Sequence, residues 1–225
     1  MNRTDLAQTI DHTLLSPTAT RADIEALCLE ARNHDFFSVC LGPRWVALAA
    51  GLLVDCPVKI ATVIDFPLGF ETTRVKTQQA KAAIFEGADE IDLVTDLGAI
   101  IEQDARLLVQ QFQSLLKVCR HMRPAVILKV IIESAALTHD QKALVCSVAQ
   151  QVGVDFLTTS TGFHDAGGAT VEDIQLFKTQ APSCQVKASG GIRTLDQALA
   201  MIEAGVTRLG TSASVAIINT LPQGT

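Results

Sequence analysis

Four charged residues stand inside stretches that otherwise read as buried strand: Asp11 in TIDHTLL, Asp92 in EIDLV, Lys129 in VILKVII and Lys187 in QVKAS. A charge in such a place is costly unless it is paired or used. Two readings fit. Either the four form buried structural ion pairs, or they form a polar cluster at one end of the fold. Cations and carboxylates held that close shift one another's pKa, which is what acid–base and nucleophilic chemistry needs. Asp92 and Lys187 are read as falling late in their strands, and glycine-rich loops follow several of the same strands, which favours the second reading. Lys59 opens its own apolar run and reads as a solvated strand start.

A second set of residues suits an anion. ASGGIRTLDQAL (188–199) places Gly190 and Gly191 before a helix expected to start near Thr194. Paired glycines let backbone N–H groups approach a phosphate, and a helix N-terminus favours negative charge. LGTSASVAI (209–217) repeats the device, with Gly210 followed by Thr211, Ser212 and Ser214, and STGF (160–163) adds Gly162. The plainer reading is two ordinary turns between strand and helix. Arg193 suits the same anion or a surface place at the helix start. Thr13, Thr159 and Thr161 suit ligand hydroxyls or the local backbone. Cys40 ends a strand run, where a packed thiol is the weightier reading than a reactive one. Trp45 reads as helix packing.

The elements that must position these residues alternate along the chain. Eight short apolar runs, at 9–15, 37–42, 58–64, 90–94, 125–132, 154–160, 184–189 and 207–211, are separated by amphipathic segments such as ETTRVKTQQAKAAIFEG and LTHDQKALVCSVAQQVG. The first run is the least strand-like. EGADEIDLV, VGVDFLTT and AGVTRLGT share one grammar, in which Gly87, Gly153 and Gly205 end a helix just before a strand. Alternating units of this kind demand parallel strands and right-handed crossovers. Eight of them within 225 residues predict a single α/β domain over 1–225, a (β/α)8 TIM barrel, with an open doubly wound sheet as the alternative. In such a barrel the loops after the seventh and eighth strands form the usual phosphate site, so a small phosphorylated molecule is the expected ligand.

Composition narrows the function classes. Hydrophobic residues make up 48% and charged residues 19%, an ordinary globular balance. The net charge of −6 is scattered, so no nucleic-acid partner is expected. No basic leader with an apolar core opens the sequence and no apolar run reaches spanning length, so no membrane partner is expected. Six cysteines without metal-ligand spacing fit a reducing cytoplasm and no metal site.

In order along the chain, IDHTLL, SVCLGP, FPLG (66–69), GADEIDLV, LKVIIE, TSTGF, VKASGGIRT and LGTSA resemble the deoxyribose-phosphate aldolases over almost the whole length. The resemblance implies a class I aldolase with no cofactor. Such an enzyme reversibly cleaves 2-deoxy-D-ribose 5-phosphate to acetaldehyde and D-glyceraldehyde 3-phosphate through a lysine Schiff base. It also implies a homodimer, a role for Lys187 as the second lysine that keeps the nucleophile partly neutral, Asp92 in proton relay, and Asp11 orienting Lys187. One position departs. The family reads F-x-K-T-S-T-G where this chain reads Phe156-Leu157-Thr158-Thr159-Ser160-Thr161-Gly162, so Thr158 holds the Schiff-base place. A hydroxyl forms no imine. Gly42, Asp65 and Ala213 replace a frequent Asn, Gly and Ser of the family, and the chain has no tyrosine. Three accounts follow: a lysine replaced in an active aldolase, a homologue that binds without cleaving, or an imine moved to Lys187.

Overall fold

The computed structural model describes residues 1–121 and 124–222. Its elements run α1 (Arg3–Ala7), β1 (Ile10–Leu14), α2 (Arg21–Asn33), β2 (Ser38–Leu41), α3 (Val46–Leu52), β3 (Lys59–Ile64), α4 (Thr73–Phe85) and β4 (Glu90–Val94). They continue through α5 (Leu97–Ile101), α6 (Ala105–His121), β5 (Ile127–Ile131), α7 (His139–Val152), β6 (Phe156–Thr158) and α8 (Val171–Gln180). Then come β7 (Gln185–Ser189), α9 (Leu195–Glu203), β8 (Arg208–Thr211) and α10 (Ser214–Asn219). Every strand falls inside one of the eight runs. α1, which precedes the first strand, was not expected.

All neighbouring strands are parallel, in sequence order, and β1 closes on β8 through Ile10↔Leu209 and His12↔Thr211. The sheet is therefore a closed (β/α)8 barrel and not the open doubly wound alternative. The weak first run is a full member, paired on both edges. Gly87, Gly153 and Gly205 all have positive φ, as the shared helix-to-strand grammar requires.

Helix starts are written locally. Thr20, Thr138 and Thr194 each close a capping box with Asp23, Gln141 and Gln197, which satisfies orphan N–H groups at both ends of the box. The helices bury their apolar faces against the outside of the sheet. Ile24, Leu27, Ala80, Leu108, Phe112, Leu115, Val145, Ile174 and Phe177 join the strand residues Val39, Leu41, Ile91, Leu93, Leu128, Val130 and Leu157 in one core. Alternation along each strand then leaves the intervening residues to face the barrel axis. These include Asp11, Ser38, Asp92, Lys129, Thr158 and Lys187. Lys59 is exposed at the start of β3, as expected.

The expected late placement of Asp92 and Lys187 is corrected. Each is the central residue of a five-residue strand. Both still line the cavity at the mouth. Among the described residues no helix is long and apolar enough to cross a membrane.

Candidate active site

Six charged side chains fill the barrel axis. Lowest are Glu90 of β4 and Arg208 of β8. The Arg208 guanidinium donates to Glu90 Oε2 at 2.8 Å and to Asp11 Oδ1 at 2.7 Å, and lies 3.6 Å from the centre of the Phe37 ring. Above them Lys129 Nζ contacts Glu90 Oε2 at 2.7 Å, Asp92 Oδ1 at 2.8 Å and Asp11 Oδ2 at 3.3 Å. Lys187 Nζ reaches Asp11 Oδ2 at 2.5 Å and Asp92 Oδ2 at 2.6 Å. Ser38 donates its hydroxyl to Asp11 Oδ1 at 2.6 Å. Three carboxylates thus face three cations, all of them buried.

That balance sets the protonation states. Burial opposes the charge on Lys187, but Asp11 and Asp92 outweigh it and hold the ammonium above its ordinary range. Lys129 is held well above its range in the same way, against the same burial, by Asp11, Asp92 and Glu90. Burial likewise opposes ionisation of Asp11 and Asp92, and the two lysines reverse it, leaving both carboxyls below the usual carboxylate range. The buried pairs and the polar cluster are one object: every charge is paired, and only its upper members face open space.

That space is a cavity of about 490 Å³ at the C-terminal ends of the strands. Thr13, Cys40, Asp92, Thr158, Thr161 and Lys187 line it, whereas Asp11 and Lys129 lie beneath it and support its floor. Thr159 does not line it. Its hydroxyl accepts from Ser189 N–H at 3.0 Å and donates to Ser189 C=O at 2.9 Å, which ties the ends of β6 and β7 together. Thr161 is held by Glu133, whose carboxylate accepts both its N–H and its hydroxyl. Cys40 Sγ sits 3.9 Å from Asp92 Oδ2, and burial pushes the thiol up to about 12, so it stays protonated. Among the described residues no group of His, Cys, Asp or Glu has the spacing of a metal site.

Thr158 ends β6 beside Lys187 on β7, the two residues being register partners. Its hydroxyl is buried without a hydrogen-bond partner among the described residues, as is that of Ser160. Both residues line the cavity. A buried hydroxyl left unpaired is costly, so these two atoms are unmet polar groups beside the cavity.

At the other wall the loops after β6, β7 and β8 meet. Gly162, Gly190 and Gly191 have φ of 80°, 87° and 80°, and with Arg193 and Ser212 they rim the cavity. A Cβ on Gly190 would lie 3.2 Å from Gly168 Cα and 3.3 Å from Gly162 Cα, so the two loops pack backbone to backbone. Gly191, Arg193 and Ser212 are exposed. Gly210 sits lower, within β8, where a Cβ would stand 2.9 Å from Lys187 Cε. Its bareness makes room for that lysine.

Glu90 and Arg208 escaped the sequence reading although the signal that found Asp92, a charge in an apolar run, is present in EIDLV and TRLGT. Glu133 and Lys76 gave no such signal, because one follows its strand and the other sits in an amphipathic helix.

The DeoC/LacD family aldolase profile matches residues 6–216. The deoxyribose-phosphate aldolase of Carboxydothermus hydrogenoformans is 46% identical over 225 residues, covering 100% of this chain and 98% of that one. That of Halalkalibacterium halodurans is 49% identical over 216 residues, 95% of each. In three dimensions the deoxyribose phosphate aldolase of Aeropyrum pernix, described as tetrameric, superposes with a TM-score of 0.89 at 30% identity, covering 97% of this chain and 92% of that one. A match that runs from before the first strand into the last helix, with relatives aligned end to end, makes this chain a member of the DeoC/LacD aldolase family.

Proposed function

We propose that this chain is a deoxyribose-phosphate aldolase-type lyase scaffold that binds 2-deoxy-D-ribose 5-phosphate, and that its covalent step is lost or strongly impaired because threonine stands at position 158. The names of its relatives supply the substrate. The glycine loops supply a place for the phosphate, and Asp92, Lys187, Thr158, Thr13 and Thr161 line the space for the sugar. One observation carries the impairment: Lys187 is the sole amine lining the cavity among the described residues, and Asp11 and Asp92 hold it charged. An ammonium has no lone pair with which to attack a carbonyl.

The reaction in the intact family needs three residues from this barrel. A lysine at the end of β6 would attack the aldehyde, and loss of water would give the imine. The imine draws electrons from the bond to be cleaved. A fourth cation beside Lys187 would exceed the three carboxylates, so the newcomer would be the lysine that gives up its proton. Asp92 would accept and return the proton, through water. Thr158 removes the first and leaves the other two in place.

The test is acetaldehyde trapping. The chain and its Thr158→Lys variant are each incubated with acetaldehyde and borohydride and weighed intact. The expected result is an ethyl adduct on the variant alone. An adduct on the unmodified chain, mapped to Lys187, overturns the impairment and moves the imine to β7. The second reading, a homologue that binds sugar phosphate without cleaving it, is favoured by the unpartnered Thr158 hydroxyl. It predicts phosphate-dependent binding with no adduct on either protein. A homodimer in the cytoplasm completes the proposal, with sedentimentation equilibrium as its check.

A further inference from the structure

The loop between β3 and α4 carries Phe66, which forms one wall of the cavity. It is fastened by a residue outside the charged cluster. Lys76, in the first turn of α4, is fully buried. Its Nζ donates to Gly69 C=O at 2.7 Å and Val94 C=O at 2.9 Å, and pairs with Asp65 Oδ2 at 3.0 Å. The three acceptors come from the start of the loop, its far side and the end of β4. Asp65 has φ 51°, a glycine-like backbone, and its carboxylate also accepts from Glu71 N–H at 2.9 Å. Gly69, at φ 71°, presses so close to β4 that a Cβ would stand 2.3 Å from Thr95 C=O.

What this loop covers is specific. Phe66 packs on a small apolar cluster, Cys40, Ala61 and Val63, separate from the main core. It also meets Phe163 edge to face at 5.2 Å, and Phe163 directly follows Gly162 of the phosphate rim. Asp92 lies next to Cys40. The aromatic pair therefore bounds the cavity on the side of the proton-relay carboxylate.

We propose that Lys76 is a positioning residue: by drawing Asp65, Gly69 and Val94 onto one ammonium it holds Phe66 as the wall of the cavity over Cys40. Its effect on ligand binding rests on the sugar-phosphate reading above. Its effect on the wall does not.

Thiol labelling followed by mass mapping tests the wall without any ligand. Cys28, Cys119, Cys146 and Cys184 are buried elsewhere and report global opening, while half-buried Cys56 reports reagent activity. In Lys76→Met, Cys40 should label about tenfold faster, as expected for a local opening, while the other four buried cysteines keep the parent's rates. Asp65→Asn, which tolerates the left-handed backbone, should give a smaller rise of about threefold and serves if the first variant does not fold. Affinity for 2-deoxyribose 5-phosphate should fall about tenfold in Lys76→Met with affinity for inorganic phosphate unchanged, since the phosphate rim lies on other loops. Cys40 labelling at the parent's rate in the folded variants overturns the proposal. So does a joint rise of all buried cysteines, which would make Lys76 a residue of the fold and not of the wall. If the parent binds no 2-deoxyribose 5-phosphate, the functional reading fails while the labelling still decides the role of Lys76.

Discussion

Lys187 Nζ and Asp92 Oδ2 meet at 2.6 Å across the barrel, from strands 95 positions apart in the chain. The contact places an ammonium held above its ordinary range beside Asp92, which lines the cavity floor. The same contact is what the proposed impairment rests on, because a carboxylate that holds Lys187 charged withholds the lone pair a nucleophile needs.

Adding a lysine at 158 should reverse that constraint for the new residue. Register places it next to Lys187, within a cluster whose charges already balance. Acetaldehyde trapping by Thr158→Lys, followed against pH, should show an amine that titrates below the range of an ordinary lysine. An amine with the ordinary midpoint would mean that the cluster exerts no repulsion at this place.

Removing Asp92 should be far more harmful than its size suggests. Asp92→Asn leaves Lys129 and Lys187 facing only Asp11 and Glu90, and breaking a buried pair from one side costs about 3–5 kcal/mol. Urea unfolding should show this as a lower midpoint at unchanged slope. A change within error of zero would mean that water reaches the cluster.

Stability should fall at both pH extremes through four residues of the cluster. Asp11 and Asp92 have lowered folded pKa values, so their contribution is present above the unfolded value near 3.9 and is lost as pH drops through the folded values. Lys129 and Lys187 are raised, so theirs is complete below the unfolded value near 10.4 and is lost as pH rises through the folded values. Apart from a step below the unfolded histidine value of about 6.5, where burial lowers the pKa of His12, unfolding midpoints across pH should hold a plateau, with the cluster's own descents outside it. A descent beginning near pH 6 would point to His12, whose buried ring resists protonation against its pairing with Glu30.

Gly210→Ala tests the room made for Lys187. The new Cβ would stand 2.9 Å from Lys187 Cε and 3.0 Å from Ser189 Cβ, and overpacking of this kind costs about 1–3 kcal/mol. Thermal unfolding should show the loss, and the variant should no longer keep the Lys187–Asp92 distance in a crystal structure.

Gly190→Ala tests the phosphate rim. Its backbone, at φ 87°, disfavours a side chain, and the Cβ would crowd Gly168, Ser160 and Gly162. Binding of inorganic phosphate by calorimetry should weaken about tenfold or more, since a misplaced backbone loses its hydrogen bonds to the anion. Unchanged binding would place the phosphate elsewhere.

Much of this was legible in one dimension because it is local. Strand runs, threonine caps and glycine stops are set by neighbours in sequence, and eight of them in alternation leave few topologies. The charges in apolar runs marked Asp11, Asp92, Lys129 and Lys187 because burial of an unpaired charge is so unfavourable. The resemblance also marked position 158, where Thr158 stands in a motif that otherwise follows the family's. Only the tertiary structure decided the rest. Barrel closure set which charges meet, and so showed that Glu90 and Arg208 complete a neutral cluster and that Asp11 and Lys129 lie under the cavity. Pairing across the barrel depends on strand stagger and on side-chain reach, which no local pattern encodes. Lys76 makes the point most sharply: in its helix it is one more polar residue, and only the fold turns it inward to three acceptors, two in the loop before it and one at the end of β4.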